Sequence, residues 1–303
     1  MKFIQALLLL AVVQISAVVH AQPLVDGDWL ASRLGDRSLV VLDIRNKIDG
    51  GSAAEYAKGH IPGAVHSDYL KAGWRTTDKG VVGMLPPVVK LEALIGGLGI
   101  GNDSHVVIVP GGVSAVDYGS ATRVYWTLKY LGHDRVSILN GGHALWRKQQ
   151  RSLESGAVAP RSALFKAQPR AELLATRDDV SKALAEGSAL IDNRPTTQFL
   201  GRDKHGKAKR AGAIPTAHNI PQGQFFDAGT GKFSSLEALR ELWRDDDLDG
   251  DGAITYCNTG HWASLGWFTS SELLKRKNTR MYDGSMVEWS ADESLPMINT
   301  KKQ

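Results

Sequence analysis

Cys257 is the only cysteine in the chain, and it follows the apolar run Ile254-Thr-Tyr256. A lone thiol is either an inert buried hydrophobe or a nucleophile. No second cysteine exists to close an internal disulfide or to resolve a redox intermediate. Ile254 to Cys257 reads as the end of a strand and Ala263 to Arg276 as a helix, so Cys257 opens a strand-to-helix turn, Cys257-Asn-Thr-Gly-His-Trp-Ala263. Successive N–H groups in such a turn, together with the positive end of the helix, can cradle a thiolate, a persulfide or an oxyanion. Asn258, Thr259, Gly260, His261 and Trp262 are therefore the residues expected to face a substrate. Gly260 supplies the backbone freedom of a tight concave loop. His261 has two readings: a ring that polarises a leaving group or senses pH, or a loop-shaping residue packed beside Trp262.

Arg194 ends the strand-like run Ala189-Leu-Ile-Asp-Asn-Arg194. It can either supply charge to an anionic substrate or form a structural ion pair with Asp192. The basic run Arg202, Lys204, His205, Lys207, Lys209 and Arg210 reads most simply as a solvated loop. A phosphatase-type Cys-x5-Arg loop would need an arginine where Ala263 stands. Asp247, Asp249 and Asp251 match the first half of a calcium loop, but the position due a bidentate glutamate is Asn258, inside the reactive turn. A solvated acidic turn fits those residues better. His60 and His66 lack companions at metal-ligand spacing, and no metal site is expected.

These residues need a scaffold. Leu39 to Ile44 and Val106 to Val109 are short β-branched runs that read as buried strands, and Pro87 to Leu98 and Ala121 to Leu131 read as helices. Alternating strands and helices imply a parallel sheet covered on both faces. The order then recurs. Val40–Arg45 is echoed by Ala189–Arg194 at an offset of 149, and His60-Ile-Pro62 by Ala213-Ile-Pro215 at 153. Val107–Pro110 matches Ile254–Cys257 at 147, and Asn140-Gly141 with Trp146 matches Asp283-Gly284 with Trp289 at 143. Two copies at this period mean two globular domains, expected over 22–147 and 169–303, with a linker over 148–168.

Bulk properties agree. With 303 residues, 43% hydrophobic and 22% charged, the chain suffices for about two cores. A net charge of +4 is too small to argue for nucleic acid or an acidic membrane. Residues 1–21 read as a cleaved export signal, with an apolar run from Ala6 and a small-residue site ending at Ala21. The mature chain is then expected outside the cytoplasm, in the periplasm, with no membrane segment.

At this point the sequence resembles the rhodanese family. The resemblance rests on an Asp-x-Arg at a strand end in each half, Gly59-His-Ile-Pro-Gly-Ala64, Asn140-Gly-Gly142, Tyr282-Asp-Gly-Ser-Met-Val-Glu-Trp289, and a strand leading into a reactive loop. It covers nearly all of the chain after the signal. It implies an α/β fold of two similar rhodanese-like domains, each a parallel sheet flanked by helices, with the nucleophile in the second domain only. Pro110, at the position matching Cys257, carries neither a thiol nor an N–H, so the first domain is expected to be silent.

The implied activity is sulfur transfer. Cys257 takes a sulfane sulfur from a small anionic donor and passes the persulfide sulfur to cyanide or a thiol, with no cofactor. Thiosulfate-type loops place two basic residues after the cysteine, where Asn258 and Thr259 stand here, and the mercaptopyruvate-type Cys-Gly-Ser-Gly is also absent. Arg194 matches a family arginine, while a second, four residues on, is replaced by Gln198. Thiosulfate is the favoured donor, 3-mercaptopyruvate the alternative, and a non-catalytic sulfur carrier shares every motif.

Overall fold

The computed structural model describes residues 21–244, 248 and 252–299. Residues 1–20 of the segment expected to be an export signal over 1–21, and Asp247, Asp249 and Asp251, lie outside the described residues. No helix among the described residues is long and apolar enough to cross a membrane.

The β-branched runs form two five-stranded parallel sheets. The first runs Leu24–Val25, Val136–Leu139, His105–Val109, Leu39–Asp43, Val65–His66, and the second, in the matching direction, Leu174–Ala175, Arg280–Tyr282, Ala253–Tyr256, Ala189–Asp192, His218–Asn219. The two orders are the same when each half is counted from its own first strand. Both sheets carry helices on their faces, so the central strands are buried on two sides and read as apolar runs rather than alternating ones.

Register sets the chemistry. Asp43 pairs with Val109 and Asp192 with Tyr256, which places each Asp-x-Arg beside the turn that leaves the neighbouring strand. In the second domain that turn begins with Cys257; in the first it begins with Pro110.

The helix expected over Ala121–Leu131 spans Ala115–Tyr130, capped by Ser114, whose Oγ accepts from Asp117 N. Its start is extended because Ser114 gives the chain a cap before the periodic apolar residues begin. It is buried almost all round, because it lies between the domains and packs against the helix Ala263–Trp267. The helix expected over Ala263–Arg276 stops short: after Trp267 it widens into a π-helix over Phe268–Leu273, with Leu274 N donating to Thr269 O. Thr269 and Ser270 are buried in this wide turn, and Ser270 Oγ bonds Thr279 Oγ1.

Each domain also extends a hairpin over the other's turn. In the first domain Thr76–Asp78 pairs with Val81–Met84, and Gly83 O meets Arg123 beside the Cys257 loop. In the second, Phe226–Asp227 pairs with Lys232–Phe233, and its Gly231 O accepts from Tyr118 while Phe233 N donates to Asn140 Oδ1. The segment after Lys148 runs back along the first domain, where Phe165 is buried and Ala163 N donates to Gly96 O.

Candidate active site

The turn expected at Cys257 is present between the strand Ala253–Tyr256 and the helix Ala263–Trp267. Cys257 is only 1% exposed. A second loop holds the first from below: Ser285 Oγ accepts from Cys257 N at 3.0 Å and from Gly260 N at 3.2 Å. Met286 N and Val287 N donate to the carbonyls of Cys257 and Asn258. Ser285 holds this position at a φ of 48°, a left-handed conformation that a serine adopts only at a cost. Gly260 has a φ of 70°, and a Cβ there would collide with the Arg123 guanidinium and with Asp283. Both angle and space therefore require glycine, as the sequence suggests.

The other loop residues divide by partner. Asn258 is buried, its Nδ2 donating to Gln198 Oε1 at 2.8 Å. Thr259 offers its carbonyl to Arg75 Nη2 at 2.8 Å. Trp262 is half-buried against the shared core, its ring 6.4 Å from that of His261 and not stacked on it. His261 is instead fixed by the first domain: Nε2 lies 2.8 Å from Val116 O, and Nδ1 lies 2.9 Å from Tyr69 Oη. A carbonyl can only accept, so Nε2 carries the proton and Nδ1 accepts from the tyrosine. Burial, then the positive charges of Arg75 and Arg123, pull the ring's pKa down to about 3, and the carbonyl bond only partly opposes them. His261 is a neutral pin between domains. Its ring packs on Tyr69 rather than stacking on Trp262.

Arg194 occupies the ion pair that its alternative reading foresees. It is 1% exposed, its Nε and Nη2 lie on the Asp192 carboxylate, and Nη2 also donates to Gly212 O at 2.9 Å. Arg45 repeats the device in the first domain, with Asp43 and Gly59 O as partners. The same pair stands in the domain without the cysteine, so the Asp-x-Arg pairing is a feature of both copies of the fold. His60 and His66 likewise stack on Tyr56 rather than gathering ligands.

The first domain's turn shows what this geometry does with an anion. Gly111 N, Gly112 N and Val113 N all donate to the Asp117 carboxylate. Burial and the nearby Asp49 raise the Asp117 pKa from the usual carboxylate range, and the three N–H bonds oppose them. At the matching position in the second domain stands Ser264, whose Oγ turns to His261 O at 2.7 Å. The first turn is filled by its own carboxylate; the second carries no such internal anion.

Three residues of the site come from the half without the cysteine: Tyr69, Arg75 and Arg123. Arg123 is fully buried, donates to Gly260 O at 3.2 Å and to Gly83 O at 3.3 Å, and pairs with Asp283. Nothing in their own sequence contexts resembles a motif. The available signal is the fall in repeat offset from 153 to 147, which makes the first half six residues longer between its Ile-Pro turn and its loop, where the first domain's hairpin lies.

Comparison with known proteins agrees with this architecture. The model of the rhodanese-like domain matches twice, over residues 26–149 and 176–292. A protein of Saccharopolyspora erythraea provisionally named a thiosulfate sulfurtransferase is 32% identical over 288 residues, covering 92% of this chain and 97% of its own. The 3-mercaptopyruvate sulfurtransferase of Escherichia coli K12 is 32% identical over 293 residues, covering 91% and 98%. The crystal structure of Escherichia coli SseA, described as a 3-mercaptopyruvate sulfotransferase with the rhodanese fold, superposes with a TM-score of 0.76 at 28% identity, covering 88% of this chain and 99% of that one. Two matched domains, the shared sheet order and these relatives together place the chain in the rhodanese family, as a sulfurtransferase built of two rhodanese-like domains.

Proposed function

We propose that Cys257 is the sulfur-carrying nucleophile and that the donor is a small anion, thiosulfate ahead of 3-mercaptopyruvate. The observation that carries this reading is the contrast between the two turns. The first begins with Pro110 and closes its N–H groups on Asp117; the second begins with the chain's only thiol and has Ser264 where that carboxylate would be.

In the first step the Cys257 thiolate attacks the outer sulfur of thiosulfate. A new S–S bond forms, the donor's S–S bond breaks, and sulfite leaves with the electron pair. In the second, cyanide or a thiolate attacks the outer sulfur of the Cys257 persulfide, and Cys257 departs as thiolate. Each step conserves charge and needs no cofactor. The backbone donors of the turn, held concave by Gly260 and Ser285, receive the negative charge of the persulfide. A neutral His261 neither gives nor takes a proton. If residues 1–21 are the export signal, the reaction takes place in the periplasm.

The relatives carry both donor names, so the assay that tests the reading is steady-state sulfur transfer to cyanide with each donor in turn. A higher kcat/KM for thiosulfate supports the donor assignment. A clear preference for 3-mercaptopyruvate reverses it and leaves Cys257 in place. No transfer from either donor by folded protein removes the proposal.

A further inference from the structure

The Cys257 loop is short of positive charge. Asn258 and Thr259 follow the cysteine, and Asn258 is engaged with Gln198 in a neutral amide pair. The other arginines near the loop are held by acids or by several carbonyls. Arg123 holds Gly260 O, Gly83 O and Asp283. Arg194 holds Asp192 and Gly212 O. Arg210 is turned onto the carbonyls of Trp289, Ser290, Asp292 and Leu295.

Arg75 differs from all of these. It reaches from the first domain, its Nη2 on Thr259 O at 2.8 Å and its Nε on Gly83 O at 3.3 Å. Its guanidinium lies 5.8 Å from the centre of the Tyr69 ring, the ring whose hydroxyl fixes His261. It is half-buried and pairs with no carboxylate among the described residues. A guanidinium held by two carbonyls, with no acid to neutralise it, keeps its positive charge for an oxyanion. That charge sits on the carbonyl of Thr259, two positions along the chain from Cys257.

We infer that Arg75, from the domain without the cysteine, is the residue that recognises the anionic end of the sulfur donor. The silent domain thereby brings to the Cys257 loop the cation that the loop's own sequence omits. This rests on the proposed role of Cys257. It specifies the substrate class further, because one guanidinium without an acid partner suits a compact sulfonate- or carboxylate-bearing donor.

The test is donor kinetics of Arg75→Gln and Arg75→Lys in the full chain, with thiosulfate as donor and cyanide as acceptor. Arg75→Gln is expected to raise the KM for thiosulfate by about 10- to 100-fold, the range for a charged hydrogen bond, with kcat within about threefold. Arg75→Lys is expected to recover part of the loss, since it keeps the charge without the fork. The KM for cyanide is expected to stay put, and added salt to raise the thiosulfate KM of wild type more than that of Arg75→Gln. An unchanged thiosulfate KM in Arg75→Gln overturns the inference, as does an equal fall in kcat with both variants alongside a lower urea midpoint, which assigns Arg75 to holding Thr259. Neither outcome touches Cys257, whose role is judged separately by whether wild-type protein acquires sulfur there.

Discussion

Tyr69 Oη and His261 Nδ1 meet 2.9 Å apart across the domain boundary, and they tie the reactive loop to the domain that lacks a nucleophile. With the tyrosine donating, Nδ1 must be unprotonated and the imidazole neutral. The folded ring has its pKa pulled down to about 3, whereas the unfolded ring titrates near about 6.5. The stability that comes with a neutral His261 is therefore complete above about 6.5 and is lost as pH falls from there toward 3. Between about pH 7.5 and about pH 5, wild type is expected to lose about 2 kcal/mol more stability than His261→Asn. Urea unfolding at the two pH values measures it, and parallel losses would show that His261 does not stay neutral.

Arg123 and Asp283 form a buried ion pair between domains, and Asp283 also accepts from Leu85 N at 2.6 Å. Arg123→Met leaves the carboxylate buried without its counter-ion, at an expected cost of about 3–5 kcal/mol. Adding Asp283→Asn removes the stranded charge and is expected to restore a good part of that. Strict additivity of the two losses in urea unfolding would mean that the pair is not coupled.

The first domain's turn is predicted to resist conversion. In Pro110→Cys combined with Cys257→Ala, the new thiol stands at a turn whose N–H groups already serve Asp117. Sulfur transfer to cyanide is expected to remain at least about 100-fold below wild type, the scale of losing oxyanion donors. Activity near wild type would show that a thiol at this position is enough.

For Arg194 the expected signature is stability. Arg194→Met strands Asp192, which is fully buried, and is expected to cost about 3–5 kcal/mol. Variant protein that folds is expected to keep its KM for thiosulfate within about threefold. A raised KM at unchanged stability would put Arg194 in contact with the donor.

The fold was legible because its cues are local. Two β-branched runs ending in Asp-x-Arg, two Ile-Pro turns and two Gly-then-Trp segments recur in order, and each repeat builds the same sheet. The Cys257 turn was legible for the same reason: strand, glycine and helix signals sit within a few residues. The π-helical end of the helix after Trp267 was not, since its composition does not separate a wide turn from an ordinary one. Nor were the partners of the loop. Tyr69 precedes His261 by 192 residues, and the pairing depends on how two domains dock. The Arg194–Asp192 pair was legible as one of two readings, since the two residues stand two apart at a strand end.

The central claim is tested most directly by the intact mass of the protein after exposure to thiosulfate and removal of excess donor. Cys257 is the only thiol, so the account predicts a gain of one sulfur atom, its loss on adding cyanide, and no gain in Cys257→Ser. The same gain in Cys257→Ser, or wild-type turnover retained by that variant, would contradict it.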